Sequence, residues 1–303
     1  VRVNFRDRVL GCLVGGAIGD AFGSAFEGQS NLTSVLLGDE RPWHLTDDTQ
    51  LTLATCEAIL DAGGPAPATI AAHFLKWFRA RRLTGLGAST LKALRDLDAG
   101  AHWALSGRKG DRGAGNGTAM RIAPLAFCVD PDTDDGRRIL RDVCRITHHN
   151  DEAWVGALAV AMAIRGTALE HRIPPPDQIA GRLPETSVRE RLMEYARLPP
   201  STTLADAAAR FGATGFVIES VPFALFAAQH ARSLGFTGML EQVILAGGDT
   251  DTNASLAGQI AGAECGFAAL PADLLARLPQ AEMVTATAER FADFVARLPR
   301  PRS

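Results

Sequence analysis

The stretch "GCLVGGAIGDAFGSAFEG", residues 11–28, limits the fold more than any other part of the chain. Gly11, Gly15, Gly19 and Gly23 recur at every fourth position. Residues four apart share one face of an α-helix, so a helix here carries a stripe without side chains. Each interior glycine costs roughly 1 kcal/mol relative to alanine, and something must offset that. A second stripe, Ala254, Gly258, Gly262 and Gly266, lies near the other end of the chain. Two such faces can approach backbone to backbone. The expectation is a helix over 11–25 packed in the centre of the protein against a helix over 253–265. That pairing would bring Asp249 and Asp251 toward the end of the first helix.

Small residues at this spacing also mark paired transmembrane helices. Here the apolar run from Leu10 breaks at Asp20, short of the ~20 residues a span needs. The run "AWVGALAVAMAI" (153–164) is also short, and no membrane association is expected. The 303 residues are 47% hydrophobic and 21% charged, enough for a large core, with a net charge of −3. That balance lacks the basic excess of a nucleic-acid or anionic-membrane binder. Cys12, Cys56, Cys128, Cys144 and Cys265 are scattered and form no C-x-x-C pair, which argues against a zinc ribbon or redox motif. Reduced thiols and a cytoplasmic location follow as expectations. The opening "VRVNFRDRVL" lacks the layout of a signal peptide.

Amphipathic helical periodicity recurs over 51–60, 69–82, 88–97, 137–147, 152–166, 187–198, 204–211, 223–234, 253–266 and 286–298. Breakers such as "GGPAP", "SGRKGDRGAGNG" and "IPPPDQ" separate these segments. A short strand is expected near "TGFVIES" (214–220). No linker divides the chain, so 1–303 reads as one compact all-α domain of roughly ten or more helices.

Two segments carry unusual chemistry. "HLTDDTQLTLA" opens a helix with Thr46, Asp47, Asp48 and Thr49; "LAGGDTDTNASLAG" opens another with Asp249, Asp251 and Thr252. Helix capping accounts for either alone. Two adjacent aspartates and a second similar cluster exceed what caps require. Crowded carboxylates repel unless they are protonated or bridged by a cation. Oxygen donors without His or Cys suit Mg²⁺ or Mn²⁺, and two facing clusters suit a two-metal hydrolysis. "GAGNGTAMRIAPLAF" (113–127) runs from glycines into a helix start, a layout that can hold an anion on backbone N–H groups, with Arg121 to add charge. An ordinary glycine loop also explains it. His148 and His149 in "RITHHNDEAW" precede Asn150, which reads as a helix cap.

Together, "GGAIGDAFGSAFEG", "TDDTQLTLA", "GNGTAMRIAPLA", "THHNDEAWVGA" and "GGDTDTNASLAGQIAGA" resemble the ADP-ribosylglycohydrolase family in order and spacing, over about residues 5–266. The resemblance implies an all-α, single-domain orthogonal helical bundle with a centre of two Mg²⁺ or Mn²⁺ ions. It assigns one ligand set to Thr46, Asp47 and Asp48 and the other to Asp249, Asp251 and Thr252. Glu27 matches a family Glu at the metals that is linked to catalysis, alongside Asp47 and Asp251. Gly115, Asn116, Gly117 and Thr118 match the loop that holds the diphosphate, and His148 a residue near the substrate. Asp20 reads as structural support. One departure is Gly85, which stands where many members carry Asp; this puts specificity for an arginine linkage in doubt. The implied activity is hydrolysis of the bond between ADP-ribose and an acceptor, a protein side chain or a small molecule. The alternatives are a two-metal nucleotide phosphohydrolase and a catalytically inactive ADP-ribose-binding relative.

Overall fold

The two glycine stripes face each other in the computed structural model, which describes residues 3–29 and 41–298. Helix α1 (Phe5–Ser24) carries the first stripe, and the second lies on a later helix, Thr250–Cys265, with Gly266 just beyond its end. A Cβ on Gly11 would fall 2.2 Å from the Gly262 carbonyl oxygen, and one on Gly15 2.6 Å from that of Gly258. One on Gly19 would fall 2.1 Å from the Ala254 oxygen, and one on Gly23 2.4 Å from that of Thr250. As one number climbs by four the other falls by four, so the helices run antiparallel with backbone against backbone. The expected central pair is present, and its second helix starts at Thr250 rather than Asn253.

Between these two helices the chain forms α2 (Asp47–Ala62), α3 (Pro67–Arg79), α4 (Ala88–Asp98), α5 (Trp103–Ser106), α6 (Ala123–Cys128), α7 (Asp134–Arg145) and α8 (Asp151–Glu170). It continues through α9 (Pro176–Ala180), α10 (Ser187–Tyr195), α11 (Leu204–Phe211), α12 (Val217–Gln229) and α13 (Ala231–Leu245) to α14, the Thr250–Cys265 helix. Two further helices follow, α15 (Ala272–Arg277) and α16 (Ala281–Ala296). The α1–α14 pair is the most extensive helix contact among the described residues; α2 and α16 also pack on α1, and α8, α12 and α13 on α14. Both central helices are buried on nearly every side.

Polar bolts hold both ends of the central pair. At one end the buried Arg8 guanidinium donates to the carbonyls of Ala263 (2.9 Å) and Glu264 (2.7 Å), satisfying acceptors that a helix C-terminus leaves open. At the other, the Thr250 hydroxyl donates to the Gly23 carbonyl at 2.9 Å. The end of α1 is thereby fixed beside the start of α14.

Three expectations need correction. The 214–220 segment is not a strand: Phe216 makes a single bridge to Gly115, and Val217 already starts α12. The helix expected over 223–234 is two helices that meet at His230. The paired strands that are present are two residues each, β1 (Arg108–Lys109) and β2 (His148–His149), parallel and too short for any alternation to reveal. Helix α8 is 20 residues long and contains an 18-residue window with a mean hydropathy of 1.3, longer than its apolar run suggested and sufficient by those measures to cross a membrane. Within the protein, 78% of that window is buried, the position of a core helix.

The stripe makes a direct prediction. Gly19→Ala gains helix propensity of roughly 1 kcal/mol yet places a methyl against the Ala254 backbone. The melting temperature should fall despite that gain. Gly64→Ala, where nothing lies within 4 Å, should leave it nearly unchanged.

Candidate active-site cleft

Three helix ends converge because of the central pair. Helix α1 ends toward Phe26 and Glu27, α14 begins beside Asp249, and α2 begins at Asp47. Asp20 ties the third of these in. It is fully buried on α1, accepts from the Thr46 hydroxyl at 2.7 Å and the Thr46 N–H at 3.1 Å, and also accepts from the N–H and hydroxyl of Thr49. A carboxylate from one helix therefore caps the first turn of another. This is the supporting role expected of Asp20, and it explains why Thr46 and Thr49 flank the aspartate pair.

A cleft of about 610 Å³ opens at this convergence, well within the range of small-molecule sites. Glu27, Asp47, Asp48, Asp249 and Asp251 line it, together with Thr252, Gly115, Asn116, Gly117 and His148. The exposed Glu27, the half-buried Asp249 and the buried Asp251 bring carboxylate oxygens within 4.8 Å of one another. Asp47 and Asp48 lie outside that tightest group, but Thr252 bridges to them: its hydroxyl donates to Asp48 Oδ2 at 3.2 Å. Thr46 sits behind them, committed to Asp20 and capping the Asp48 N–H. Thr118 is fully buried and donates its hydroxyl to the Ala153 carbonyl at 2.9 Å, away from the cleft.

The cluster is electrostatically strained. Burial raises the Asp47 carboxyl well above its ordinary value, with Asp20 adding to the effect. Burial likewise raises Asp48, with Asp251 next, and pushes Asp251 up to about 10, followed by its hydrogen bond to Asp249 and the negative charges around it. Asp48 Oδ1 is buried with no hydrogen-bond partner. A buried acceptor of that kind is costly, and a divalent ion would satisfy it. The donors are all carboxylate or hydroxyl oxygens, which fits a hard cation.

Gly115, Asn116 and Gly117 of the glycine loop line the cleft. The Asn116 N–H is spent on the Gly215 carbonyl (3.1 Å), and its side-chain amide donates to Asp249 Oδ2 at 2.8 Å. Asn116 thus holds a carboxylate of the cluster in place. Arg121 is not part of the cleft lining: it is fully buried, lies 4.7 Å from the Phe74 ring centre and donates to the Thr147 hydroxyl oxygen at 2.8 Å. Thr147 in turn sits 2.9 Å from His148 Nδ1. Its oxygen accepts from Arg121, so its single proton is free for Nδ1. Donation from the Thr147 hydroxyl to Nδ1 assigns the proton of the neutral ring to Nε2, which faces Gly115 and Gly117. Burial, reinforced by Arg121 and Arg108, lowers the His148 pKa to about 3, so the ring is neutral at physiological pH. His149 stands outside the cleft lining, and Asn150 caps α8 as expected.

Gly85 lines the cleft with φ +75°, a left-handed conformation that favours glycine. Its missing Cβ would lie 3.5 Å from Asp47 Oδ1. Cleft residues that sequence reading passed over are Arg108 and Arg112. They occur in "SGRKGDRG", where the glycines signal a break and hide the directed charges.

The ADP-ribosylglycohydrolase family model matches residues 2–301. The ADP-ribosyl-[dinitrogen reductase] glycohydrolase of Rhodospirillum rubrum is 25% identical, the match covering 90% of each chain. The ADP-ribosylarginine hydrolase Tri1 of Pseudomonas putida is also 25% identical, over 95% of this chain and 78% of its own. A solved structure titled "ADP-ribosylglycohydrolase-related protein complex" superposes with a TM-score of 0.71 at 26% identity, covering 96% of this chain and 99% of that one. The chain belongs to the ADP-ribosylglycohydrolase family and has its all-α fold.

Two predictions follow from the electrostatics. The buried aspartates have folded-state pKa values above the 3.8 of a free Asp side chain, about 10 for Asp251. The folded, ion-free protein therefore holds more protons than the unfolded chain at neutral pH. Stability that is present at acid pH should be lost as pH rises through the folded values. In chelator the melting temperature should fall from pH 5 to pH 8, and Mg²⁺ should restore more at pH 8, where it displaces fewer protons. For His148, ¹⁵N NMR should report the neutral ring protonated on Nε2 from pH 8 down to pH 5. Thr147→Val should mix the two tautomers.

Proposed function

We propose that this protein is an ADP-ribosyl-acceptor hydrolase that cleaves the bond between C1″ of ADP-ribose and a protein side chain or small-molecule acceptor, and that it requires two Mg²⁺ or Mn²⁺ ions. The reading rests above all on the carboxylate cluster: five acidic side chains from three distant segments line one cleft, and buried Asp48 Oδ1 lacks a partner. The names of the two relatives support ADP-ribosyl substrates. Thr46, Asp47 and Asp48 would hold one ion, and Asp249, Asp251 and Thr252 the other. Such ions, when bound, supply positive charge that orients the ribose hydroxyls and activates water.

The chain's own groups divide the remaining work. Glu27 is exposed within the tight carboxylate group, where it accepts the proton of the attacking water. Asp20 and Asn116 hold Thr46 and Asp249 in place, so the site is organised before substrate arrives. The neutral His148 offers its Nε2–H to an oxygen of the substrate between Gly115 and Gly117. The carboxylates also favour the positive charge that develops at C1″ as the glycosidic bond breaks.

The test is a hydrolysis panel of arginine-, serine- and small-molecule-linked ADP-ribose, run with Mg²⁺, with Mn²⁺ and with chelator. At least one conjugate should release ADP-ribose in a metal-dependent way, and Asp251→Asn should lower the rate by ~100-fold or more, the scale of losing an electrostatic stabiliser. Full activity in chelator or in that variant would overturn the mechanism. Release of AMP or free phosphate instead would identify a nucleotide phosphohydrolase. A thermal shift with ADP-ribose but no turnover of any conjugate would identify a binding protein.

A further inference from the structure

We infer that Asn253 is a positioning residue that holds the Asp249 carboxylate in the cleft. The inference deepens the reading of the carboxylate cluster as a cation site and rests on it. Asp249 stands at the N-cap of α14, where an aspartate ordinarily turns its carboxylate onto the free N–H groups of its own helix. Here it makes no such bond. Its Oδ2 instead accepts from Asn116 Nδ2 at 2.8 Å. Something must keep the carboxylate away from the capping position.

A closed ring of hydrogen bonds does so. The Asp249 N–H donates to the Ala213 carbonyl at 2.9 Å, and two residues further on the Gly215 carbonyl accepts the Asn116 N–H at 3.1 Å. The Asn116 side chain then returns to Asp249. The ring is closely packed: a Cβ on Gly215 would lie 2.9 Å from Asp249 Oδ2, and one on Gly248 2.1 Å from the Ala213 oxygen.

Asn253 attaches this ring to α14. It lies four residues beyond Asp249 and on the same helix face. It is fully buried and donates from Nδ2 to the same Ala213 oxygen at 2.6 Å. That carbonyl already has the Asp249 N–H as a partner, so the amide is not needed to satisfy it. The effect of the second donor is directional: two groups from one helix converge on the carbonyl and hold it over the first turn of α14. The 213–216 segment follows, and Asn116 with it. The other half of the amide, Oδ1, is buried without a partner among the described residues, which is unfavourable. An apolar side chain would leave the carbonyl satisfied and bury no orphan, so local stability does not call for an amide here. Without the Nδ2 bond the ring can shift off α14, and Asp249 is free to cap its own helix. That withdraws one carboxylate from the group it forms with Glu27 and Asp251.

The test uses the whole chain with Asn253→Ala, with Asn253→Ser as a milder change and with Thr167→Ala as a control. The control loses a buried hydroxyl bond to the Ala163 carbonyl on α8, away from the cleft lining. Mn²⁺ affinity, read by calorimetry below each melting temperature, should weaken on the order of 10-fold in both Asn253 variants, the scale for a residue that orients a metal ligand. It should be unchanged in Thr167→Ala even though the melting temperature falls. NMR of the ion-free protein gives a second readout: the Asn116 side-chain amide protons should exchange with water more slowly in the wild type than in either Asn253 variant. Wild-type Mn²⁺ affinity in the Asn253 variants overturns the inference, as does an equal loss in Thr167→Ala. An Asn116 amide that responds to Asn253, in a protein whose wild type binds no Mn²⁺, supports the positioning role and overturns the cation reading. If neither Asn253 variant folds, the wild type decides: its Asn253 side-chain amide must exchange as slowly as the Asp249 N–H, and fast exchange overturns the inference.

Discussion

The contact of α1 with α14, main chain against main chain, is the constraint on which the remaining structure depends. A single Cβ at Gly11, Gly19 or Gly262 would overlap a carbonyl of the opposite helix. Close packing of this kind recovers dispersion along the whole helix length and offsets the poor helix propensity of the glycines. It also has a geometric result. Two antiparallel helices at minimum separation bring the end of one beside the start of the other, and Arg8 and Thr250 lock that register. The carboxylates of Glu27, Asp249 and Asp251 meet because the helices carrying them cannot slide.

Placing several acidic groups together in a low-dielectric interior is unfavourable, and the fold answers this in stages. Asp47, Asp48 and Asp251 lie in the first turns of α2 and α14, where the positive end of the helix dipole favours negative charge. Asp20, fully buried and raised by that burial to about 6, is held from going higher by four donors from Thr46 and Thr49. The residual strain concentrates on Asp47, Asp48 and Asp251, which line the open cleft. The same strain that weakens the ion-free protein as pH rises would favour a bound cation.

Features that depend on spacing along one helix were legible in the sequence. The glycine stripes, the helix-opening aspartates and the Asn150 cap all stand where their periodicity or residue type placed them. Features produced by distant chain segments were not. Arg121 looks like a loop cation in the sequence; in the protein it sits under Phe74 and serves Thr147. The two-residue β1–β2 pair carries too few residues for a pattern, yet it sets which charges face the cleft. The 214–220 segment has the β-branched and aromatic content of a strand, but tertiary packing continues it into α12. Apolar content across His230 suggests one helix where the backbone turns between two.

The cleft, lined by carboxylates and by Arg108 and Arg112, connects the fold to the proposed chemistry. Its acidic side is the end product of the α1–α14 packing, and its basic side is anchored to β2 and α4, outside that pair. A ligand with neutral hydroxyls at one end and a diphosphate at the other can lie in such a cleft in only one direction. Reversing it would set phosphate against five carboxylates, a repulsion that the low-dielectric walls intensify. In the proposed chemistry the sugar would thereby be directed to the acidic end. Gly85 supplies no side chain beside Asp47. At that end, positive charge building on the anomeric carbon is favoured by the groups that exclude the phosphate.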